Sequence, residues 1–210
     1  MDEQRHTRRG LQPFYRFCLA AGWPILRGPY RFRATGSEQL PSSGFVLASN
    51  HESNFDPWPL ALAVSPRQLL FMTKAEAFTS VLGPLLRAGG AFPVQRGKRD
   101  AEAFETAVRL VRGGGVVMVF PAGTRRAKGR KKRAEQPAGT GAARIAFRGG
   151  VPLVPAAISG TDNLLGLGPI RVACGPPVVV DDLLGLPVPE RARIATERLV
   201  EAIEGLRVEL

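Results

Sequence analysis

The chain is poor in the residues that build most metal and redox centres. Across 210 residues there are two cysteines, Cys18 and Cys174, far apart and in no C-x-x-C pair. That argues against a disulfide framework and against a cysteine-based zinc site, and it fits a reducing compartment. Histidine is as scarce, with only His6 and His51, which excludes a multi-histidine metal centre. Two Trp and two Tyr leave little for base stacking, and no familiar nucleic-acid reading module occurs. No G-x-S-x-G elbow is present, which weighs against a serine hydrolase. No run reaches the roughly eighteen apolar residues of a spanning helix. The nearest approach, residues 11–26, is interrupted by Arg16 and broken by Gly22 and Pro24. Arg16 and the lack of a small-residue cleavage site argue against a signal peptide there.

What the chain does have is positive charge. Lys and Arg number 29 against 18 acidic residues, a formal net charge of +11. Such a chain attracts polyanions: nucleic acid, anionic lipid headgroups or phosphorylated small molecules. Much of the charge is clustered, seven of the nine residues 125–133 being Lys or Arg, the pattern of a solvated loop. Residues 11–26 carry Phe14, Tyr15, Phe17, Leu19, Trp23, Ile25 and Leu26, flanked by Arg8, Arg9, Arg16 and Arg27. This fits an amphipathic helix lying in a membrane interface. It fits equally an ordinary helix packed on a core.

Short apolar runs alternate with helical stretches. Residues 45–49, 69–72, 91–94, 116–120, 153–158, 170–174 and 178–180 read as strands. Residues 57–64, 100–112, 140–148 and 190–208 read as helices. With 44% hydrophobic residues and no repeat, the pattern predicts one α/β sandwich, a central mostly parallel sheet flanked by helices, preceded by the N-terminal amphipathic segment. The expected division is a basic, amphipathic membrane-association segment over 1–30 and an enzymatic domain over 31–210. In such sheets the working residues lie in loops beyond the carboxyl ends of strands.

Three blocks stand at such places, and a fourth stands apart. Asn50-His51-Glu52-Ser53-Asn54-Phe55-Asp56-Pro57 follows a buried strand. Five residues turn roughly 140° around a helix axis, so His51 and Asp56 can meet only across a loop. Asp56 reads as the N-cap of the next helix, with Pro57 at its first position. A carboxylate on one imidazole nitrogen fixes the tautomer and lets the other nitrogen take a proton. A capping Asp beside an incidental His has the same spelling. Phe120-Pro121-Ala122-Gly123-Thr124-Arg125 offers a close backbone approach at Gly123, a hydroxyl at Thr124 and a bidentate phosphate ligand in Arg125. A turn with a surface arginine would look alike. Residues 90–97 run into a cationic turn at Arg96-Gly97, and Val151-Pro152-Leu153-Val154-Pro155 is wholly apolar.

In this order and spacing the blocks resemble the glycerolipid acyltransferase family, in particular bacterial 1-acyl-sn-glycerol-3-phosphate (lysophosphatidic acid) acyltransferases. His51 and Asp56 look like its H-x4-D motif, and the other three blocks resemble the family's second, third and fourth. Residues 35–41 resemble its lead-in, and Lys74-Ala75-Glu76 is also similar. The resemblance spans about positions 30–160. It implies transfer of a fatty acyl group from acyl-CoA or acyl carrier protein to the hydroxyl of a lysophospholipid. His51 would be the base and Asp56 its partner. Arg125, Gly123, Thr124, Arg96, Gly97 and Lys74 would bind substrate, and no metal or organic cofactor is called for. It further implies an anionic membrane surface as partner and a peripheral or monotopic place on the cytoplasmic face. One position departs from the pattern: Ala122 stands where the family's third block has the glutamate that helps position the acceptor. That opens the acceptor's identity to another lysolipid, such as a lyso-ornithine lipid. A basic nucleic-acid-binding protein is the reading from a different class.

Overall fold

The computed structural model describes residues 13–81, 83–94, 101–122 and 138–210. Helix α1 (Pro13–Arg27) leads into strand β1 (Arg33–Thr35), then β2 (Phe45–Ser49), α2 (Pro57–Ala63), β3 (Leu69–Lys74), α3 (Gly83–Ala88) and β4 (Ala91–Val94). The second half supplies α4 (Ala101–Arg112), β5 (Val116–Val119), α5 (Gly141–Gly149), β6 (Leu153–Ser159), β7 (Arg171–Cys174) and α6 (Val188–Val208). The seven strands form one sheet in the order β1-β7-β6-β2-β5-β3-β4. Strands β2 to β6 run parallel; β7 is antiparallel to β6, and β1 pairs with β7.

The central strands are apolar on both sides because both faces are covered. All five residues of β2 are buried. Phe45, Leu47, Val116 and Met118 join the core beneath α1 and α2, while Val46, Ala48 and Val117 join the core beneath α4, α5 and α6. Helix α4 shows the matching one-sided pattern, burying Ala103, Ala107, Leu110 and Val111 at helical spacing. The expected α/β sandwich with a mostly parallel sheet and a leading helix is what is found.

Three local expectations need correction. Residues 178–180 are not a strand: Pro176 and Pro177 lack the N–H a ladder needs, and of this stretch Val178 alone donates to Leu153 O, at 2.8 Å. Gly22 and Pro24 do not break the first apolar segment, which is helical through both. Gly22 is where the Trp58 ring of α2 lies so close that a Cβ would stand 2.0 Å from it, and Pro24 sits in the last turn, which forgoes one N–H bond there and still closes beyond it, with Gly28 N–H donating to Pro24 O at 2.9 Å. Strand β1, three residues with every side chain exposed, carries no apolar signature in the sequence.

Helix α1 uses its two sides differently. Tyr15, Leu19, Gly22 and Leu26 are buried. The Tyr15 hydroxyl accepts the Leu69 N–H at 3.0 Å, and burial pushes its pKa up to about 12. Phe17, Trp23 and Ile25 remain exposed. One side of the helix is thus packed on the core, and the other leaves apolar side chains exposed. Among the described residues no helix is long and apolar enough to cross a membrane.

Candidate active site

The carboxyl ends of the parallel strands gather the polar residues. Strand β2 ends at Ser49, and Asn50 prolongs its pairing with β6 by side chain. Its Nδ2 donates to Ile158 O at 2.8 Å and its Oδ1 accepts the Ile158 N–H at 2.9 Å. The backbone entering His51 is thereby held as firmly as a strand residue. A tight turn follows: Asp56 N–H donates to Ser53 O, and Phe55 N–H donates to Ser53 Oγ.

This turn returns Asp56 to His51. Asp56 Oδ2 accepts three hydrogen bonds: from His51 Nδ1 at 2.6 Å, from Glu52 N at 2.8 Å and from Ser53 N at 3.0 Å. Oδ1 accepts the Thr161 hydroxyl. The carboxylate is wholly buried. A buried charge is tolerable only when its lone pairs are met, and here donors converge on both oxygens. The acceptor at Nδ1 requires that this nitrogen carry the proton, which leaves Nε2 of the neutral ring with a free lone pair. The imidazole lies flat on Phe120, with centroids 3.9 Å apart and planes at 15°. Its side chain is 11% exposed, and among the described residues no side chain takes Nε2.

Asp56 occupies the N-cap position of α2, with Pro57 first in the helix, yet its side chain makes no cap hydrogen bond. Pro57 offers no N–H, and the Trp58 N–H is taken by Phe55 O at 3.0 Å. The carboxylate therefore turns back to the loop, where a ring N–H and two backbone N–H groups point at one oxygen.

Glu52 belongs to the same edge. Its Oε2 accepts the Gly160 N–H at 3.1 Å. Partial burial raises its pKa, and the charges of Asp162 and Asp56 add to the rise, against the opposing Arg207 charge and the Gly160 hydrogen bond.

Of the residues singled out from the sequence, the structure brings His51 and Asp56 into contact. Lys74 ends β3 and is exposed; β5 stands between β3 and β2, a separation of about 10 Å at ordinary strand spacing. Ala122 is exposed in the turn after β5, beside buried Pro121. Arg96, Gly97, Gly123, Thr124, Arg125 and the basic run 125–133 lie outside the described residues. Sequence reasoning missed Thr161, Glu52 and the bridging amide of Asn50. Thr161 is 105 residues from Asp56, and the only local hint was a polar Ser159-Gly160-Thr161 end to an apolar strand.

Comparison with known proteins fits this arrangement. A sequence model of the family described as Acyltransferase matches residues 31–159. The 1-acyl-sn-glycerol-3-phosphate acyltransferase of Bacillus subtilis is 33% identical over 201 residues, covering 93% of this chain and 98% of that protein. The protein of the same name from Streptococcus pneumoniae is 28% identical over 172 residues, 79% of this chain and 62% of its own length. The crystal structure of the 1-acyl-sn-glycerophosphate acyltransferase of Thermotoga maritima superimposes with a TM-score of 0.66 at 25% identity, covering 94% of this chain and 79% of that one.

Proposed function

Because the chain belongs to the acyltransferase family, we propose that it transfers a fatty acyl group from acyl-CoA or acyl carrier protein to the free hydroxyl of 1-acylglycerol 3-phosphate, giving phosphatidic acid. The observation that carries the mechanism is the His51–Asp56 pair, closed at 2.6 Å with Nε2 left over. The acceptor hydroxyl donates to His51 Nε2. As its oxygen attacks the thioester carbonyl, the proton passes to Nε2, and Asp56 supports the imidazolium through Nδ1–H. The tetrahedral intermediate expels the thiolate, which takes the proton from Nε2, and the base is restored. Asp56 never needs the proton itself. No step requires a metal or an organic cofactor.

Arg125 receives the acceptor's phosphate in a bidentate grip, with Gly123 and Thr124 giving backbone and hydroxyl contacts beside it. Arg96 and Lys74 add positive charge for the acceptor's phosphate, and Gly97 lets the backbone beside Arg96 approach the substrate closely. The acceptor is a bilayer lipid, so the enzyme works as a peripheral or monotopic protein at the cytoplasmic membrane face. The exposed side of α1 and the basic run 125–133 provide attachment to anionic headgroups, each basic residue contributing about 1 kcal/mol near such a surface.

Ala122 supports a second acceptor. At the place of the glutamate in the family's third-block pattern this turn presents an exposed methyl, which leaves room for another lysolipid, such as a lyso-ornithine lipid. The test is purified protein with labelled acyl-CoA or acyl carrier protein and a panel of both acceptors, read by lipid mass spectrometry. Acylation of lysophosphatidic acid at the highest kcat/KM is the expected result. Preference for the aminolipid moves the assignment to the second acceptor. Transfer to neither, with tight binding of RNA or DNA, removes the acyltransferase reading.

A further inference from the structure

Beyond β6 the chain makes a closed loop over 161–168. Its stem is tight: a Cβ on Gly160, which has φ +86°, would lie 2.1 Å from Pro169 O. Leu164 packs on the core, but Leu165 is 99% exposed and Leu167 51%. Single exposed leucines are ordinary. These two differ in how they are held. Leu167 has φ +48° and Arg31 has φ +44°, both in the left-handed region that non-glycine residues rarely enter. The two residues meet, Arg31 Nη2 donating to Leu167 O at 3.5 Å, and the Tyr30 hydroxyl donates to Leu164 O at 3.1 Å. The loop is thus fixed with its leucines outward.

The same clamps join it to the exposed side of α1. Phe32, next to Arg31, receives the Trp23 ring edge-on at 6.3 Å, and Arg27 stacks over Trp23 at 5.4 Å. Ile25, on the same helix, is half exposed. Leucine tips, an amphipathic tryptophan and two exposed arginines make a set suited to apolar depth, interface and anionic headgroup in turn. The loop begins at Thr161, whose hydroxyl holds Asp56.

We propose that the loop 161–168 is a membrane-inserting element, with Leu165 and Leu167 entering the acyl region of an anionic bilayer while Arg31 and Arg27 meet its phosphates. It rests on reading the acceptor as a bilayer lipid, and it adds a third attachment beyond α1 and the basic run. Docked so, the edge carrying His51 lies at headgroup depth, where an acceptor hydroxyl is found.

The test uses the full chain with Leu165→Cys in a Cys18→Ser background, labelled with an environment-sensitive dye. The vesicles are equimolar phosphatidylcholine and phosphatidylglycerol and contain no acceptor. A blue shift on mixing is expected. The Leu165→Ser/Leu167→Ser variant should partition onto the same vesicles at least about ten-fold more weakly, since losing even part of two leucines' burial is worth that much. Its turnover of detergent-dispersed acceptor should match wild type. A dye that stays unshifted while the protein floats with vesicles overturns the proposal, as does unchanged partition of the double variant. A shift with acyl carrier protein and none with vesicles assigns the loop to a protein partner instead. A vesicle shift in a protein that acylates no dispersed lysolipid leaves the lipid surface standing and removes the acyltransferase reading alone.

Discussion

Asp56→Asn is the sharpest probe of the dyad, because the hydrogen-bond pattern dictates how the amide must sit. Three donors converge on Oδ2, from His51 Nδ1, Glu52 N and Ser53 N, whereas Oδ1 meets only the Thr161 hydroxyl. An asparagine NH2 at the Oδ2 place would face three donors. At the Oδ1 place it faces a hydroxyl that can turn and accept. The amide oxygen therefore takes the Oδ2 place, and His51 keeps its proton on Nδ1. The variant loses charge but not tautomer. In catalytic triads the same substitution costs about 10⁴-fold because the tautomer goes wrong as well. Here the loss is that of one preorganised electrostatic group, about 3–4 kcal/mol. At about 1.4 kcal/mol per factor of ten, kcat should fall roughly 10²–10³-fold. The acceptor KM should stay within a few-fold and the unfolding midpoint should change little. Steady-state kinetics on dispersed acceptor, with circular dichroism for the fold, decide it. A well-folded variant that loses 10⁴-fold or more refutes the argument from converging donors. A loss under ten-fold reduces Asp56 to a structural residue.

The other expectations are simpler. His51→Ala should abolish transfer in a folded protein; near-normal turnover would end the mechanism. Thr161→Val should lower kcat with acceptor KM unchanged, and it should cost about 1–3 kcal/mol of stability by leaving Oδ1 unpaired. Thr161→Ser should restore turnover, and if it does not, the hydroxyl is not what matters. Glu52→Gln should raise the unfolding midpoint at pH 7. A carboxyl whose folded pKa is raised is penalised when ionised and contributes fully only below its unfolded pKa. The glutamine oxygen can still accept the Gly160 N–H, so the gain should vanish below about pH 4; an equal gain at both pH values would show a cause other than charge. Arg125→Ala should raise the KM for phosphate-bearing acceptors tens-fold or more, as when a charge-assisted pair worth about 2–5 kcal/mol is cut. An unchanged KM moves the phosphate to Arg96.

Sequence showed the fold wherever burial was uniform or periodic. Strand β2 is apolar at four of its five positions and fully buried, and α4 repeats its apolar residues at helical spacing. It failed where pairing alone makes the element, as in β1, whose exposed Arg33, Ala34 and Thr35 are a strand only because β7 is beside them. At the dyad, the spacing of His51 and Asp56 required a loop, and a loop is there. The cap rule placed Asp56 correctly in the chain but misjudged its side chain, because capping statistics do not know what donors lie behind. Thr161 was beyond reach: a contact across 105 residues is a property of strand order, which no local pattern encodes.

That strand order also explains why the dyad can be rigid without being on a regular element. The loop between β2 and α2 is tied at three points to the end of β6 and the turn after it: Asn50 to Ile158, Glu52 to Gly160, Asp56 to Thr161. Each tie joins a side chain to the end of β6 or the turn after it, just past the parallel pairing with β2 and where β6 is paired with β7 through Ser159. A loop held at three points has little freedom left to lose when substrate arrives. On the proposed mechanism the ordering cost is met on folding, and the His51–Asp56 hydrogen bond is in place before charge develops on the ring. The same ties make the end of β6 a lever on the chemistry. A disturbance at residues 158–161 must alter the geometry of His51 and Asp56, although none of those four residues need touch the acyl group or the acceptor.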